Sequence, residues 1–306
     1  MLALVDHANK IVVGHALGEA DNTELALAAW RSSKKTLQMT HELDQPLVSI
    51  VVNNYNNERY LQDCLNALLA QTYRSIEIVV VDALSSDGSR SLIDSYAERD
   101  QRIKKVYCES YVRYPSITYN IGFLNCNGSY IAINDPDDIS MPGRIEAQIN
   151  YLLDNPSVDA VGCNCYEFND DFNNLVETTV EKNILNAAPP VRNPCLMFRK
   201  EVLAAHGMWR WQCEYAADFE WLYRWYAGGV RFYILQAPYV KFRKAHGTNI
   251  SSTKLFNQGV KMAFFRTWYG IRLFKKVGVR WWFATLRTYA YLLIKYPIRL
   301  ILKKNI

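Results

Sequence analysis

Beyond Glu220 the chain carries no acidic residue: residues 221–306 hold 17 Lys/Arg and no Asp or Glu, whereas the first 220 hold 18 bases against 30 acids. The modest net charge of +5 therefore hides two ends of opposite sign, which suit different partners. Long apolar runs are also missing from the C-terminal segment. Between Arg280 and Lys295 the longest uncharged run is Thr288–Ile294, far short of the ~20 residues a membrane-spanning helix needs. The opening residues MLALVDHANK lack a basic n-region, and Asp6 interrupts their apolar run, so they do not read as a signal peptide. Neither G-x-G-x-x-G nor G-x-x-x-x-G-K-[ST] occurs, so no dinucleotide fingerprint or P-loop is written here. Any bound diphosphate must be met by metal and basic groups instead of a glycine cradle. The seven cysteines (64, 108, 126, 163, 165, 195 and 213) include one C-x-C and no matching second pair. That argues against a structural zinc site and for thiols in a reducing cytosol. No Ser/His/Asp or Cys/His set is visible either.

What is present is a chain of 306 residues, half of them hydrophobic, long enough to bury a sizeable core. Residues 1–45 read as a helical extension, with Asn22-Thr23 capping a helix that runs through Leu25, Leu27, Ala28 and Trp30 towards His41. From Pro46 short β-branched runs alternate with helical spacing. Leu47–Val52 is a strand buried on both faces, followed by the polar turn Asn53–Asn57 and a helix opened by Glu58. Ile76–Val81 is a second strand closed by Asp82; Lys104–Tyr107 is a third; helices are expected after Ser89 and over 117–126. Such alternation predicts an α/β class with a mostly parallel sheet over residues 46–253.

One stretch concentrates the chemistry. Tyr130–Asp138 reads YIAINDPDD: a buried strand breaking into three carboxylates around Pro136. Proline fixes its own φ and biases the preceding residue away from helix, so the acids sit on a tight turn at the strand's carboxyl end. Ligands of open α/β sheets bind at that edge. Packed carboxylates repel one another, and a hard divalent cation shared with a phosphate relieves this; a merely solvated acidic turn is the plainer alternative. The polar groups Asn53–Asn57, Asp82 and Asp135–Asp138 all fall at strand ends, on one edge. Further on, Asp218 opens a helix carrying Trp221, Leu222 and Trp225. An acid there is also favoured by the helix dipole alone.

Taken in order, PLVSIVVNNYNNERYL, IEIVVVDALSSDGS, YNIGFLNCNGSYIAINDPDD, NPCLMFRKEVL, AADFEWLYRW and HGTNIS resemble an inverting family 2 glycosyltransferase of the GT-A fold, over roughly residues 46–252. The resemblance implies that Asn54, Tyr55, Glu58, Asp82 and Asp135 hold the nucleoside of an activated sugar. It implies that Asp135 and Asp137 hold Mn²⁺ or Mg²⁺, with His246 as a further metal or diphosphate contact. Asp138 and Glu220 would lie near the donor or acceptor sugar, and Asp218 would be the general base. The implied partners are a nucleotide-sugar donor, UDP-linked by preference, and a saccharide or lipid-linked acceptor of cell-surface polysaccharide or glycolipid synthesis. The sequence departs from the family at three points: Asn53-Asn54 replace Pro-Thr, Asp82-Ala83-Leu84 replaces Asp-Asp-Gly, and Ala217 replaces the acid before Asp218. The last two leave room for a non-catalytic glycan- or nucleotide-binding relative. A nucleotidyltransferase would need a basic, glycine-rich first loop, which Asn53–Asn57 lacks.

Residues 254–306 form a basic, aromatic tail. From Arg280 on, Trp282, Leu286, Tyr289 and Leu293 follow helical spacing, with Arg280, Arg287, Tyr291 and Lys295 on another face. This predicts an amphipathic helix lying on an anionic membrane surface, peripheral to the inner face of the cell membrane in a cytoplasmic protein. The alternative is packing against the catalytic domain or a second subunit. Nucleic acid is disfavoured because bulky apolar residues interleave the bases and no binding motif is present.

Overall fold

A computed structural model of the chain describes residues 2–6, 11–16, 45–168 apart from 111 and 113, 175–178, 191–244, 255–272 and five positions between 282 and 290. The chain divides into two compact units, residues 1–46 and 47–306. In the first, the described residues form an antiparallel hairpin of β1 (Leu2–Asp6) and β2 (Ile11–Ala16). The extension expected to be helical therefore begins as strand, consistent with the β-branched run Ile11-Val12-Val13. The helix expected from Asn22 towards His41 lies outside the described residues.

The second unit is built on one sheet. Its strands are β3 (Val48–Asn54), β4 (Ile76–Asp82), β5 (Ile103–Tyr107), β6 (Tyr130–Asn134), β7 (Ile139–Ser140), β8 (Ala160–Phe168), β9 (Val176–Thr178), β10 (Met197–Arg199) and β11 (Phe232–Arg243). They lie in the order β5-β4-β3-β6-β10-β8-β11-β7, with β9 beside β8. The half from β5 to β6 is parallel, as the alternating pattern predicts. The sheet as a whole is mixed, because the three-residue β10 runs antiparallel between β6 and β8. A segment that short has no readable period. β11 pairs with β8 in parallel through two register shifts around Pro238, which has no N–H to give to a ladder.

Helices cover both faces: α1 (Glu58–Leu69), α2 (Ser89–Arg99), α3 (Pro115–Leu124), α4 (Arg144–Asp154), the short α5 (Glu201–His206), α6 (Ala217–Ala227) and α7 (Leu255–Arg272). Alternation along β3 divides the core. Val48, Ile50 and Val52 join Leu61, Leu65 and Leu68 of α1 and Ile149 of α4, while Val51 joins Phe123 of α3 and Trp221 and Trp225 of α6. Strands buried on both sides must be continuously apolar, which is how VSIVV and IEIVVV read. The tail is part of this unit where it is described. Tyr269 Oη of α7 donates to Glu220 of α6 at 3.0 Å, and Lys261 pairs with Glu214 at 2.6 Å. Of the helix expected beyond Arg280 five positions are described; all are helical, with Trp282 against the core and Leu286 and Tyr289 exposed.

β3 turns to β4 on one side while β6 lies on the other, so the order reverses between β3 and β6. A crevice opens at such a switch point, at the carboxyl ends of the strands. Gly128, just before β6, makes the close approach of β3 to β6 possible: a Cβ there would lie 2.5 Å from Leu47 O and 2.8 Å from Ser49 N. Those are backbone atoms that cannot rotate aside. Gly128→Ala should therefore destabilise the domain by about 1–3 kcal/mol, read as a lower urea midpoint at constant m-value; an unchanged midpoint would mean that the two strands separate freely there.

Candidate active site

β3 and β4 end in register, Asn54 opposite Asp82. Asp82 is fully buried and its carboxylate takes four donors: Asn54 Nδ2 at 2.8 Å, Ser85 N at 2.9 Å, Ser85 Oγ at 2.5 Å and Arg90 Nε at 2.7 Å. Burial alone would raise this carboxyl; the bonds from Ser85, Arg90 and Asn54 outweigh it and hold Asp82 below its ordinary range. Asp82 is thus the hub of this loop pair, with Asn54 locked to it. Glu58 is a clamp of the same kind. Its carboxylate accepts Gly88 N at 2.8 Å while its own N–H goes to Asp87 at 3.0 Å. Tyr55 stands exposed above them.

On the other side of the switch point, the turn after β6 is closed by Asp138 N donating to Asp135 O at 3.2 Å. Asn134 Nδ2 braces it through Asp135 O at 2.8 Å. The hydroxyl of Tyr119, on α3, donates to the Asp135 carboxylate. Arg243, the last residue of β11, gives its backbone N–H to Asp138 Oδ1 at 2.7 Å and its Nε to Asp137 O at 3.0 Å. Behind the turn the buried guanidinium of Arg144 donates to Asn134 Oδ1, Ser140 Oγ and the carbonyls of Ile133 and Leu196.

The three acids are under electrostatic strain. Burial, then the Asp137 charge, push Asp135 up to about 7, against the opposing hydrogen bond from Tyr119. Asp218 adds to that rise, which puts it within electrostatic reach of Asp135. Burial raises Asp137 as well, and raises Asp138 with help from Asp137 and Asp135. Asp138 Oδ2 is buried without a partner. Crowded, desolvated carboxylates with an unpartnered oxygen fit a hard divalent cation. Among the described residues no group of three or more His, Cys, Asp or Glu is assembled as a cage. His246 lies outside the described residues.

Asp218 lies in the first turn of α6, where its Oδ1 accepts Phe219 N at 2.9 Å. Burial pushes it up to about 6, so it stays mostly ionised at neutral pH while being a stronger base than an exposed carboxylate. The helix-dipole reading and the base reading are compatible in this geometry. Glu220, expected near a sugar, is committed elsewhere: it is buried and taken by Arg224 at 2.9 Å, Arg210 at 3.2 Å and Tyr269. It fixes α6 to α7. Tyr119, Arg144, Arg243 and Arg90 were not legible as site residues. Tyr119 opens the stretch YNIGFLNCNGSYIAINDPDD but reads there only as part of a helix, and Arg90, Arg144 and Arg243 lie outside the quoted motifs.

A switch-point crevice flanked by a carboxylate turn, in this strand order, is the GT-A architecture of nucleotide-sugar transferases. The chain belongs to glycosyl transferase family 2, whose model matches residues 49–207. It is similar to TuaG, a putative teichuronic acid biosynthesis glycosyltransferase of Bacillus subtilis, at 30% identity over 110 residues, covering 36% of this chain and 43% of that protein. The chain spans less than half the length of the first curated relatives it matches. In fold it is similar to S. aureus TarS 1–349 in complex with UDP-GlcNAc, with a TM-score of 0.62, 18% identity, and 81% of this chain and 71% of that one covered. It is also similar to the mannosyltransferase PcManGT of Pyrobaculum calidifontis in complex with GDP-Man and Mn²⁺, with a TM-score of 0.56, 20% identity, and 84% and 76% covered.

The raised acids set a pH dependence. Asp135 and Asp218 bind protons more tightly folded than unfolded, so their stabilisation is complete below about pH 4 and is lost as pH rises through about 6 to 7. Without metal or nucleotide, the melting temperature should fall between pH 5 and 7.5, and Asp135→Asn should flatten part of that slope, the raised Asp138 and Asp218 carrying the rest. A slope unchanged in Asp135→Asn would remove Asp135 from the titration.

Proposed function

We propose that this chain is an inverting, metal-dependent glycosyltransferase that moves a sugar from a nucleotide-diphosphate donor, UDP-linked by preference, to a saccharide or lipid-linked acceptor of cell-surface polysaccharide or glycolipid synthesis. The observation that carries this reading is the turn Asp135–Asp138, whose buried carboxylates fit a cation and whose Asp138 Oδ2 has no partner. Asp218, a buried carboxylate pushed up to about 6 whose charge adds to the rise of Asp135, supplies the base. In the proposed reaction Asp218 takes the proton from the acceptor hydroxyl, whose oxygen bonds to the anomeric carbon. The bond from that carbon to the phosphate oxygen breaks on the opposite side, the nucleoside diphosphate leaves with the electron pair, and the anomeric configuration inverts. Asp135 and Asp137 would hold a Mn²⁺ or Mg²⁺ ion, which when bound stabilises the charge on the departing diphosphate as a Lewis acid. Asn54, Asp82 and Glu58 shape the nucleoside loops from beneath, and Tyr55 faces the ligand.

The test is turnover of a nucleotide-sugar panel with Mn²⁺. Asp137→Asn and Asp218→Asn should each lower kcat by about 100-fold or more, while Asp218→Asn leaves nucleotide affinity within about twofold. Full activity in Asp137→Asn would remove the metal role. A second reading, a non-catalytic binding relative, is favoured by Ala83 and Ala217 standing where the family has acids; nucleotide binding without turnover of any donor would establish it.

Membrane association belongs to the same proposal. Val260, Phe264, Trp268 and Ile271 recur at helical spacing on α7 and are all exposed, in a tail without acidic residues. An apolar stripe among bases suits an anionic lipid surface, where each Lys/Arg contributes ~1 kcal/mol. No helix among the described residues is long and apolar enough to cross a membrane. Vesicles containing phosphatidylglycerol should retain the chain in flotation, and the Phe264→Ser/Trp268→Ser double variant should bind at least about tenfold more weakly. Equal retention of the two would reject the surface.

A further inference from the structure

Three non-glycine residues among those described have left-handed backbone: Asn56 (φ 51°), Leu84 (φ 64°) and Glu214 (φ 50°). Asparagine tolerates this region; for a bulky aliphatic residue it is a genuine outlier. Burial usually compensates such strain, yet Leu84 is 37% exposed. The surrounding loop leaves it no alternative. Ala83 N donates to Asn54 O at 2.9 Å, Ser85 is held by Asp82, and Ser85 Oγ also takes Asn56 N at 2.9 Å. Both flanks of Leu84 are pinned, so its side chain is held out at the carboxyl end of β4. Tyr55, 43% exposed, stands at the same level after β3, because Asn54 and Asp82 are paired. The carboxylate beneath them is buried, with four donors already bound.

We infer that Leu84 is a donor-binding residue that makes the base seat tolerant: the nucleobase rests on its isobutyl group beside the Tyr55 ring, and no carboxylate reads the base edge. This rests on the nucleotide-sugar reading of the same edge. Strained backbone held in place by over-determined neighbours is found at ligand sites, where the strain keeps a group in position. Every base has an apolar face, so such a seat is tolerant. An apolar pocket discriminates between ligands by no more than about 100-fold, whereas a site built to hydrogen-bond rejects the wrong partner by about 10⁴-fold or more.

Calorimetric titration of the full chain with UDP, CDP and GDP in Mn²⁺, with melting of the nucleotide-free protein alongside, tests this. The three affinities of the unsubstituted chain should lie within about 100-fold; a wider spread overturns the tolerance. Leu84→Gly and Leu84→Asn both accept a left-handed φ, so both should melt at or above the parent's temperature. Both should bind UDP at least about fivefold more weakly, the order expected for a lost apolar contact. Parent-like UDP affinity in both variants overturns the assignment of Leu84, and a lower melting temperature in both overturns the claim of strain. If the unsubstituted chain binds none of the three nucleotides, the donor reading itself fails, a result separate from any behaviour of Leu84.

Discussion

The rest of the domain is arranged around carboxylates brought close together and away from water at the end of β6. Burial raises Asp135, Asp137 and Asp138; the Asp137 charge also raises Asp135, both charges raise Asp138, and Asp218 adds to the rise of Asp135. Such a cluster persists only if its surroundings over-determine it. Here they do so with donors from distant parts of the chain: the Tyr119 hydroxyl from α3, the Arg243 backbone and side chain from β11, and Asn134 from the strand itself. Arg144 fixes the carbonyls behind the turn without forming an ion pair with it. The polar groups are therefore preorganised while the repulsion remains for a ligand to relieve.

The two halves of the site are joined by elements of modest size. β10, three residues long, links the parallel half of the sheet to β8 and β11, and through β11 to the clamp on Asp138. On the other side Glu220, two residues after Asp218, ties α6 to α7 through Tyr269 and to Arg210 and Arg224. Asp218 is thereby positioned by the same network that fixes the first helix of the basic tail.

How much of this was legible in the sequence follows from the range of each interaction. β3, β4, β6 and their helices were readable because continuous apolar runs and helical spacing are local signals, and the acidic turn was readable because proline and three carboxylates lie within nine residues. The mixed sheet was not, since β10 is too short for periodicity and β11 is broken by two register shifts. Glu220 illustrates the opposite failure. The resemblance implied a sugar contact for it, but a helix turns successive residues by about 100°, and its carboxylate is taken by Arg224, Arg210 and Tyr269. Asp82 kept its place at the strand end, yet its four donors make it a support for the loops that follow β3 and β4, a role that only three-dimensional accounting reveals.

The clamp on Asp138 has a consequence of another kind. It is the peptide N–H of Arg243, not its side chain, that holds the carboxylate. Nineteen of the twenty amino acids carry that group, so drift at position 243 leaves the bond in place, and only proline abolishes it. The interaction is inherited through the path of the chain and not through residue identity. A comparison of aligned sequences would pass over it, and the geometry of the acidic turn can be kept among relatives that share no residue there.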